Sequence, residues 1–595
     1  MTFQKLATYI QRIEETSSRL KITEILSDLF KELTPPEYEK TIYLLLGRLT
    51  PIYKTLNFGM AEKLVIRAIA SSAQIDVKEF TKEYKKVGDI GEVTQKLKTE
   101  QSSLHQGALS TMQVFDRLVE LATDEGSGSQ DMKLSKLSAL IQDVDALSAR
   151  YIVRIPLGVL RLGFSAMTVL DALSWMHVGD KSLRPLLQQA YHVHPDLGVI
   201  GRRLMEKGTS EVEKIQPALF TPILMMRAER LSSGAQIIDK IGECAIEPKF
   251  DGFRLQVHKK GNEVRLYTRG LEDATFMYPD IVEGVRKEVI AKEVTIEGEA
   301  IGYDISGENF LPFQETVQRK RKYDIAQKAA EIPLKLFVFE LLLLNGKNYV
   351  HEPFNNRRAK LESIVKNSGD TAKDTVIVAD ETIESDPKKI ELLFDNAIAK
   401  GLEGIIAKKQ DGTYQPGARG WNWIKFKRSY SSHIDDTIDC VVMGYDYGKG
   451  KRTKFGIGAF LAGVYDASQE KYVTLAKIGT GLTDDEWRSL KKKSEKLAST
   501  KKHKQYDIDN LMECDVWVDP GIVVEIKADE ISRSTVHTAG RIMKPSKSGS
   551  ALTIDVAGYA LRFPRLERFR DDKSEQEITT LKEVEKMFIL QKTSR

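Results

Sequence analysis

The stretch Ala245-Ile246-Glu247-Pro248-Lys249-Phe250-Asp251-Gly252-Phe253-Arg254 decides how the chain is read. An apolar run ends at a lysine, and Asp251-Gly252 supplies a tight turn. Period-two alternation follows, with Phe253, Leu255 and Val257 facing one way and Arg254, Gln256 and His258 the other. Gly261-Asn262 then leads into Val264-Arg265-Leu266-Tyr267, which predicts a β-hairpin. Further strands are expected at 294–303, 335–344, 403–409 and 422–428, with helices at 279–290 and 388–400. Residues 216–428 therefore read as a mixed α/β domain, largely antiparallel. Upstream, Phe3, Leu6, Ile10 and Ile13, then Ile22, Ile25, Leu26, Leu29 and Phe30, recur at helical spacing. Residues 1–215 are expected to be all-α, with a Gly/Ser linker at 124–130. Downstream, short strands with Gly-rich turns, such as 440–445 and 522–526, flank a basic helix near 484–500 and predict a small β-barrel over 429–595. A last helix is expected at 575–591.

A chain of 595 residues exceeds a single core and suits several domains. With 41% hydrophobic and 29% charged residues it is neither disordered nor fibrous. A net charge of +4 exerts no bulk pull on nucleic acid, so any polyanion site must be built locally. Cys244, Cys440 and Cys514 form no C-x-x-C pair, which argues against a zinc site or a disulfide framework and for core filling in a reducing compartment. The N-terminus lacks a signal-peptide pattern, and the richest apolar run, Leu336 to Leu344, is short and carries Glu340. A cytosolic protein is expected.

The quoted stretch contains K-x-D-G-x-R. K-x-D-G alone is a weak signal, since ordinary residue frequencies over this length give roughly 0.2 chance matches. Indeed a second copy, Lys409-Gln410-Asp411-Gly412, stands in a polar turn with Tyr414 at the position of the arginine, and reads as a surface loop. In the first copy the lysine sits between an apolar strand end and a β-strand, a setting in which burial and neighbouring cations can free an amine to act as a nucleophile. Thr295, Glu297 and Glu299 share one strand face and direct carboxylates into a cleft, where they suit a ribose or a hard cation. Lys425 and Lys427 share another face and aim two charges at one polyphosphate.

Other segments occur in a set order: Tyr267-Thr268-Arg269-Gly270, Ile296-Glu297-Gly298-Glu299, Val338-Phe339-Glu340-Leu341, Leu402-Glu403-Gly404-Ile405-Ile406-Ala407-Lys408 and Trp423-Ile424-Lys425-Phe426-Lys427. With K-x-D-G they resemble the motifs of the covalent nucleotidyltransferases, the superfamily of ATP-dependent DNA ligases, RNA ligases and mRNA capping enzymes. The resemblance implies that Lys249 is the adenylated nucleophile and that Glu247 meets the adenine edge. It also implies that Arg254 and Arg269 contact the nucleotide and the nick phosphate, and that Phe339 stacks on the base. Glu299 and Glu403 become the ribose and metal-site carboxylates, while Arg419, Lys425 and Lys427 bind phosphate. ATP and Mg²⁺ or another divalent cation are the implied cofactors.

Two regions narrow the choice. Arg568-Phe569-Arg570-Asp571-Asp572-Lys573 resembles the R-x-D-K motif that ligases carry on an OB-fold domain, which assigns Arg570, Asp572 and Lys573 to it. Ala149 to Gly163, running into Met167 to Leu173, is similar to the DNA-binding domain of archaeal and eukaryotic replicative DNA ligases. Gly158 and Gly163 would let the backbone approach phosphates that Arg154 and Arg161 neutralise. The expectation is an archaeal-type, monomeric ATP-dependent DNA ligase acting on nicked duplex DNA in replication, repair and recombination, cytoplasmic and nucleoid-associated. An RNA ligase, a GTP-dependent capping-type enzyme or a noncatalytic scaffold are the alternatives. A sliding clamp is a further partner that the resemblance to archaeal ligases implies, although the segment Gln101 to His105 lacks the paired aromatics of a clamp-binding peptide. Arg319-Lys320-Arg321-Lys322 suits a backbone contact or a solvated turn.

Overall fold

The computed structural model describes residues 1–54, 56–100, 109–160, 162–303, 310–311, 313–321, 323–366, 368, 373–400, 402–427, 437–448, 454–479, 482–545 and 552–593. The chain divides into two compact units, Met1–Tyr84 with Ile90–Lys427, and Lys85–Asp89 with Arg428–Arg595.

In the first unit, residues up to Glu213 form helices from Phe3–Glu14 to Thr209–Glu213. Their starts follow from local chemistry. The Thr2 and Ser18 side chains accept hydrogen bonds from the amides of Lys5 and Lys21, and Thr34 forms a reciprocal capping box with Glu37 ahead of Pro35. The periodic positions Leu6, Ile10, Ile13, Ile25, Leu26 and Leu29 are all buried, as their spacing predicts. The Gly/Ser stretch is a short turn between Thr111–Thr123 and Ser129–Gln142, with Gly126 and Gly128 at positive φ.

The rest of this unit builds two sheets. The first comprises β1 (Arg227–Arg230), β2 (Cys244–Lys249), β9 (Thr382–Glu384), β10 (Gly404–Lys409) and β11 (Arg419–Lys427), in the order β1-β11-β10-β2-β9. The second runs β4-β3-β5-β6-β7, with β3 (Phe253–Lys260), β4 (Glu263–Thr268), β5 (Glu293–Gly302), β6 (Leu334–Leu344), β7 (Lys347–Asn348) and β8 (Val376–Val378) beside β6. Pairing is antiparallel except for β1 with β11 and β6 with β8. The expected strands and hairpin are present within a few residues, and the helices fall at Pro279–Glu288 and Pro387–Ala399. Leu255, Val257, Ile296 and Leu336 pack under one sheet, and Ile246, Ile405, Ala407 and Ile424 under the other. Alternation turns the polar faces of both sheets away from these cores.

The second unit is strand-rich. Ile438–Asp446, Ala459–Asp466 and Lys471–Ile478 form an antiparallel meander, and Val523–Lys527 joins the first of these to Arg565–Phe569. Helix Asp484–Lys496 starts at a Thr483/Glu486 capping box and ends before a short strand, Ala498–Ser499. The final helix is Leu581–Thr593. Among the described residues no helix is long and apolar enough to cross a membrane. Cys244 and Cys440 are buried and Cys514 is partly so, all as free thiols.

Candidate active site

Lys249 ends β2, and β10 runs antiparallel beside it with Gly404 opposite Lys249 on one side and Lys427 of β11 on the other. That register puts Glu403 one residue before the start of β10, where its amide donates to the Lys249 carbonyl at 3.0 Å. Its carboxylate bridges two ammonium groups: Oε2 pairs with Lys249 Nζ, and Oε1 with Lys427 Nζ at 2.5 Å. Burial pushes the Glu403 carboxyl up, but Lys249 and Lys427 outweigh it and hold it below the ordinary carboxylate range. The Lys249 side chain is 22% exposed, so it is recessed yet open to a ligand.

The Asp251-Gly252 bend brings β3 alongside β5. A Cβ on Gly252 would lie 2.2 Å from the Ala300 carbonyl oxygen, so only glycine permits this approach. In the β3–β5 register Arg254 lies opposite Glu299, Gln256 opposite Glu297 and His258 opposite Thr295. Arg254 donates from Nη1 to the Met226 carbonyl at 2.7 Å and from Nη2 to Glu297, and its guanidinium lies 5.4 Å from the Phe339 ring centroid and 5.2 Å from that of Trp423.

Behind these rings lies a buried charge layer. Lys408, 1% exposed, pairs with Glu247 Oε2 at 2.7 Å, donates to the Phe339 carbonyl at 2.8 Å and lies 4.7 to 5.0 Å from the ring centroids of Phe339, Phe354 and Trp423. Burial works against the charge on both partners, raising the Glu247 carboxyl and lowering the Lys408 ammonium. Glu247 Oε1 has no hydrogen-bond partner, the nearest cation being Arg358 Nη1 at 3.5 Å. The neighbouring Glu340–Arg357 pair is fully buried and doubly bonded, at 2.7 and 2.9 Å.

All ten residues expected around the nucleotide, namely Glu247, Lys249, Arg254, Arg269, Glu299, Phe339, Glu403, Arg419, Lys425 and Lys427, line one cleft of about 740 Å³. Burial, followed by the charges of Lys427, Arg419 and Lys249, pulls the Lys425 ammonium down, so four cations converge. Glu299 is pushed up to about 7, first by burial and then by the nearby Glu403 and Asp251 carboxylates, despite Lys249 and Arg254. A carboxyl whose charge is disfavoured beside other carboxylates, in a cleft lined by cations, fits a Mg²⁺ ion, which takes one or two carboxylates and completes its shell with other oxygen ligands. No group of three or more His, Cys, Asp or Glu side chains suited to holding a metal by themselves occurs among the described residues.

Several expectations need correction. Glu297 does not open into the cleft: it is fully buried and bonded to Arg254, Gln256 and Tyr414. Gln256 and His258 are buried too, bonded to Ile223 and Phe220. Arg154, expected at a DNA phosphate, is 3% exposed and pairs with Glu14 at 2.9 Å, so its charge is neutralised inside the protein. Arg319 in the basic run is 1% exposed and bidentate to Asp280, at 2.8 and 2.9 Å. Arg161 and the segment Gln101 to His105 lie outside the described residues. Gly158 and Gly163 line a cleft of about 460 Å³ with Arg48, Ser165 and Asp196.

In the second unit, Arg570 is bonded to Asp572 at 2.8 and 2.9 Å and to Asp439 at 3.2 Å, and Lys573 to Asp439 at 2.6 Å. The second K-x-D-G is the expected turn: Gly412 N bonds Lys409 O at 3.0 Å, and Lys409 pairs with Asp411 at 3.2 Å.

Sequence reasoning missed Lys408 and Tyr414 as builders of the site. A lysine ending the apolar run Ile405-Ile406-Ala407 was the available signal, because a charge inside a buried strand requires a partner. Tyr414 offered none.

Comparison with known proteins agrees with this geometry. The chain matches the descriptions "DNA ligase N terminus" over residues 2–174, "ATP dependent DNA ligase domain" over 225–427 and "ATP dependent DNA ligase C terminal region" over 453–573. It is 45% identical over 597 residues to a "Probable DNA ligase" of Dictyoglomus turgidum, covering 100% of this chain and 99% of that one. It is 39% identical over 606 residues to "DNA ligase 2" of Thermofilum pendens, covering 100% and 98%. A solved structure described as "Pmar-Lig_PreS3" shares the fold with a TM-score of 0.53, at 17% identity, over 95% of this chain and 99% of that one. The order of the motifs, their convergence around Lys249 and the full-length similarity agree, and the chain belongs to the family of ATP-dependent DNA ligases.

Proposed function

We infer that the cleft seals nicks in duplex DNA at the expense of ATP, in three phosphoryl transfers, with Lys249 as the nucleophile. Lys249 Nζ attacks the α-phosphate of ATP, forming a P–N bond and releasing pyrophosphate. AMP then passes to the 5'-phosphate of the nick, and the 3'-hydroxyl displaces AMP to close the backbone. Splitting one condensation into activated steps is what a covalent lysine makes possible. The observation that carries this reading is the convergence on Lys249 of Glu403, Lys425, Lys427 and Arg419 in one cleft.

The other roles follow from position. Lys425, Lys427 and Arg419 take up charge on the phosphoryl oxygens. Phe339 and Trp423 offer apolar rings for the base, and Glu247 Oε1, which accepts no hydrogen bond and has only the longer ion pair with Arg358 at 3.5 Å, suits the 6-amino group of adenine, where guanine would present an oxygen. Arg254 and Arg269 reach the nucleotide and the nick phosphate. Glu299 and Glu403 would hold the divalent cation, which supplies Lewis-acid stabilisation of phosphoryl charge. An RNA ligase or a GTP-dependent enzyme is disfavoured by the full-length similarity.

We assign three domains: helical DNA-binding residues 1–215, nucleotidyltransferase residues 216–428 and an OB-fold barrel at 429–595 bearing Arg570, Asp572 and Lys573. Phosphate contacts in the helical domain are assigned to the backbone at Gly158 and Gly163 in place of Arg154. The enzyme is further assigned as a monomer working on nucleoid DNA in the cytoplasm. The test is labelling with [α-³²P]ATP. Lys249→Ala should form no enzyme-AMP adduct and Lys409→Ala should form it normally. Equal labelling of the two variants would sink the assignment.

A further inference from the structure

The second K-x-D-G stays out of the charge cluster, yet the residue at its arginine position reaches the cleft from behind. Tyr414 is 2% exposed. Its hydroxyl accepts a hydrogen bond from the Met226 amide at 2.8 Å, donates to the Glu297 carboxylate, 3.0 Å from either oxygen, and lies 3.4 Å from Arg254 Nη2. Arg254 closes the ring by donating to Glu297 and to the Met226 carbonyl. Glu297 is fully buried and also accepts from Gln256 at 2.9 Å. Trp423 meets the Tyr414 ring edge-on at 5.7 Å.

An arginine in an open cleft samples many rotamers, and its usefulness to a ligand depends on how few of them it keeps. Here both terminal nitrogens of Arg254 are tied, one to a main-chain carbonyl and one to a carboxylate. That carboxylate is itself aimed by the phenol. Because Tyr414 holds the amide and Arg254 the carbonyl of the same residue, the ring is fixed to the segment entering β1.

We propose that Tyr414 is a positioning residue for the nucleotide step: through Glu297 it holds Arg254 in the orientation that meets ATP. The proposal rests on the reading of Arg254 as a nucleotide contact. Tyr414→Phe keeps the ring packed on Trp423 and removes only the hydroxyl. In the full-length enzyme it should raise the ATP concentration giving half-maximal adduct about tenfold, the effect of one well-placed buried hydrogen bond, with labelling at saturating ATP unchanged. In an Arg254→Ala background the same substitution should raise it no further, because the group it positions is gone.

An equal rise in both backgrounds would overturn the proposal, as would reduced labelling at saturation with an unchanged half-maximal concentration, the mark of a merely structural role. If Arg254→Ala alone left the ATP requirement unaltered, the reading of Arg254 would fall as well, which separates the two failures. Should the Phe variant not fold, Glu297→Gln opens the ring from its other side and is judged by the same measurements.

Discussion

Acidification should loosen the central domain through one group, His258. The imidazole is fully buried, Nδ1 accepting from the Phe220 amide at 3.0 Å and Nε2 facing Gln256 Oε1 at 2.9 Å. An amide can only donate, so Nδ1 must be bare and the ring neutral. Burial alone pushes it down from 6.5 to about 3. A depressed pKa contributes stability that is present above 6.5 and is lost as pH falls toward 3. Between neutrality and pH 5 the loss from this group is about 2 kcal/mol, from 1.36 kcal/mol per pH step over the interval 6.5 to 5. For a domain of roughly 200 residues that lowers the melting midpoint by about 4–8 °C. His258→Asn keeps an acceptor for Phe220 but cannot take a proton. Calorimetry of the full-length chain at pH 7.5 and pH 5 should therefore show the variant starting lower and falling less, the shortfall in its pH response matching that figure. Parallel losses in both proteins would refute the reasoning, because the carboxylates common to both would then account for the whole response.

Other perturbations separate structural from chemical roles. Glu340→Gln leaves the buried Arg357 guanidinium without its counter-charge and should cost about 3–5 kcal/mol in thermal unfolding, a loss below 1 kcal/mol being inconsistent with the paired geometry. Glu247→Gln should weaken adduct formation with ATP at least tenfold while narrowing the preference over GTP, and equal labelling of the parent enzyme by both nucleotides would contradict the role of Glu247. Arg154→Met should lower stability by about 1–3 kcal/mol and leave the salt dependence of nick binding unaltered; a shallower slope of affinity against salt would return Arg154 to the DNA.

Sequence alone placed the longer strands, the two helices that follow their periodicity and ten residues of the cleft, because strand alternation and the local motifs are short-range properties; the short strands β1, β7, β8 and β9 and the helices Gly234–Ile241 and Phe354–Ile364 carry no such signal. Lys249, Glu299, Glu403, Lys425 and Lys427 carry their type and spacing in the chain; the registers of β2, β10 and β11 bring the lysines and Glu403 together, and the pairing of β3 with β5 sets Glu299 opposite Arg254. Tertiary structure decided which polar groups face the ligand and which are consumed in holding the frame. Arg154 and Arg254 look alike as arginines beside apolar runs, yet Arg154 faces Glu14 inside a helix pair while Arg254 lines the cleft. Glu297 and Glu299 share a strand face and a motif, but Glu297 lies under Tyr414 and Gln256 while Glu299 remains at the cleft wall. The partners that divide them come from residues more than a hundred positions away for Arg154 and Tyr414, and burial depends on what packs over a face rather than on which face a residue occupies.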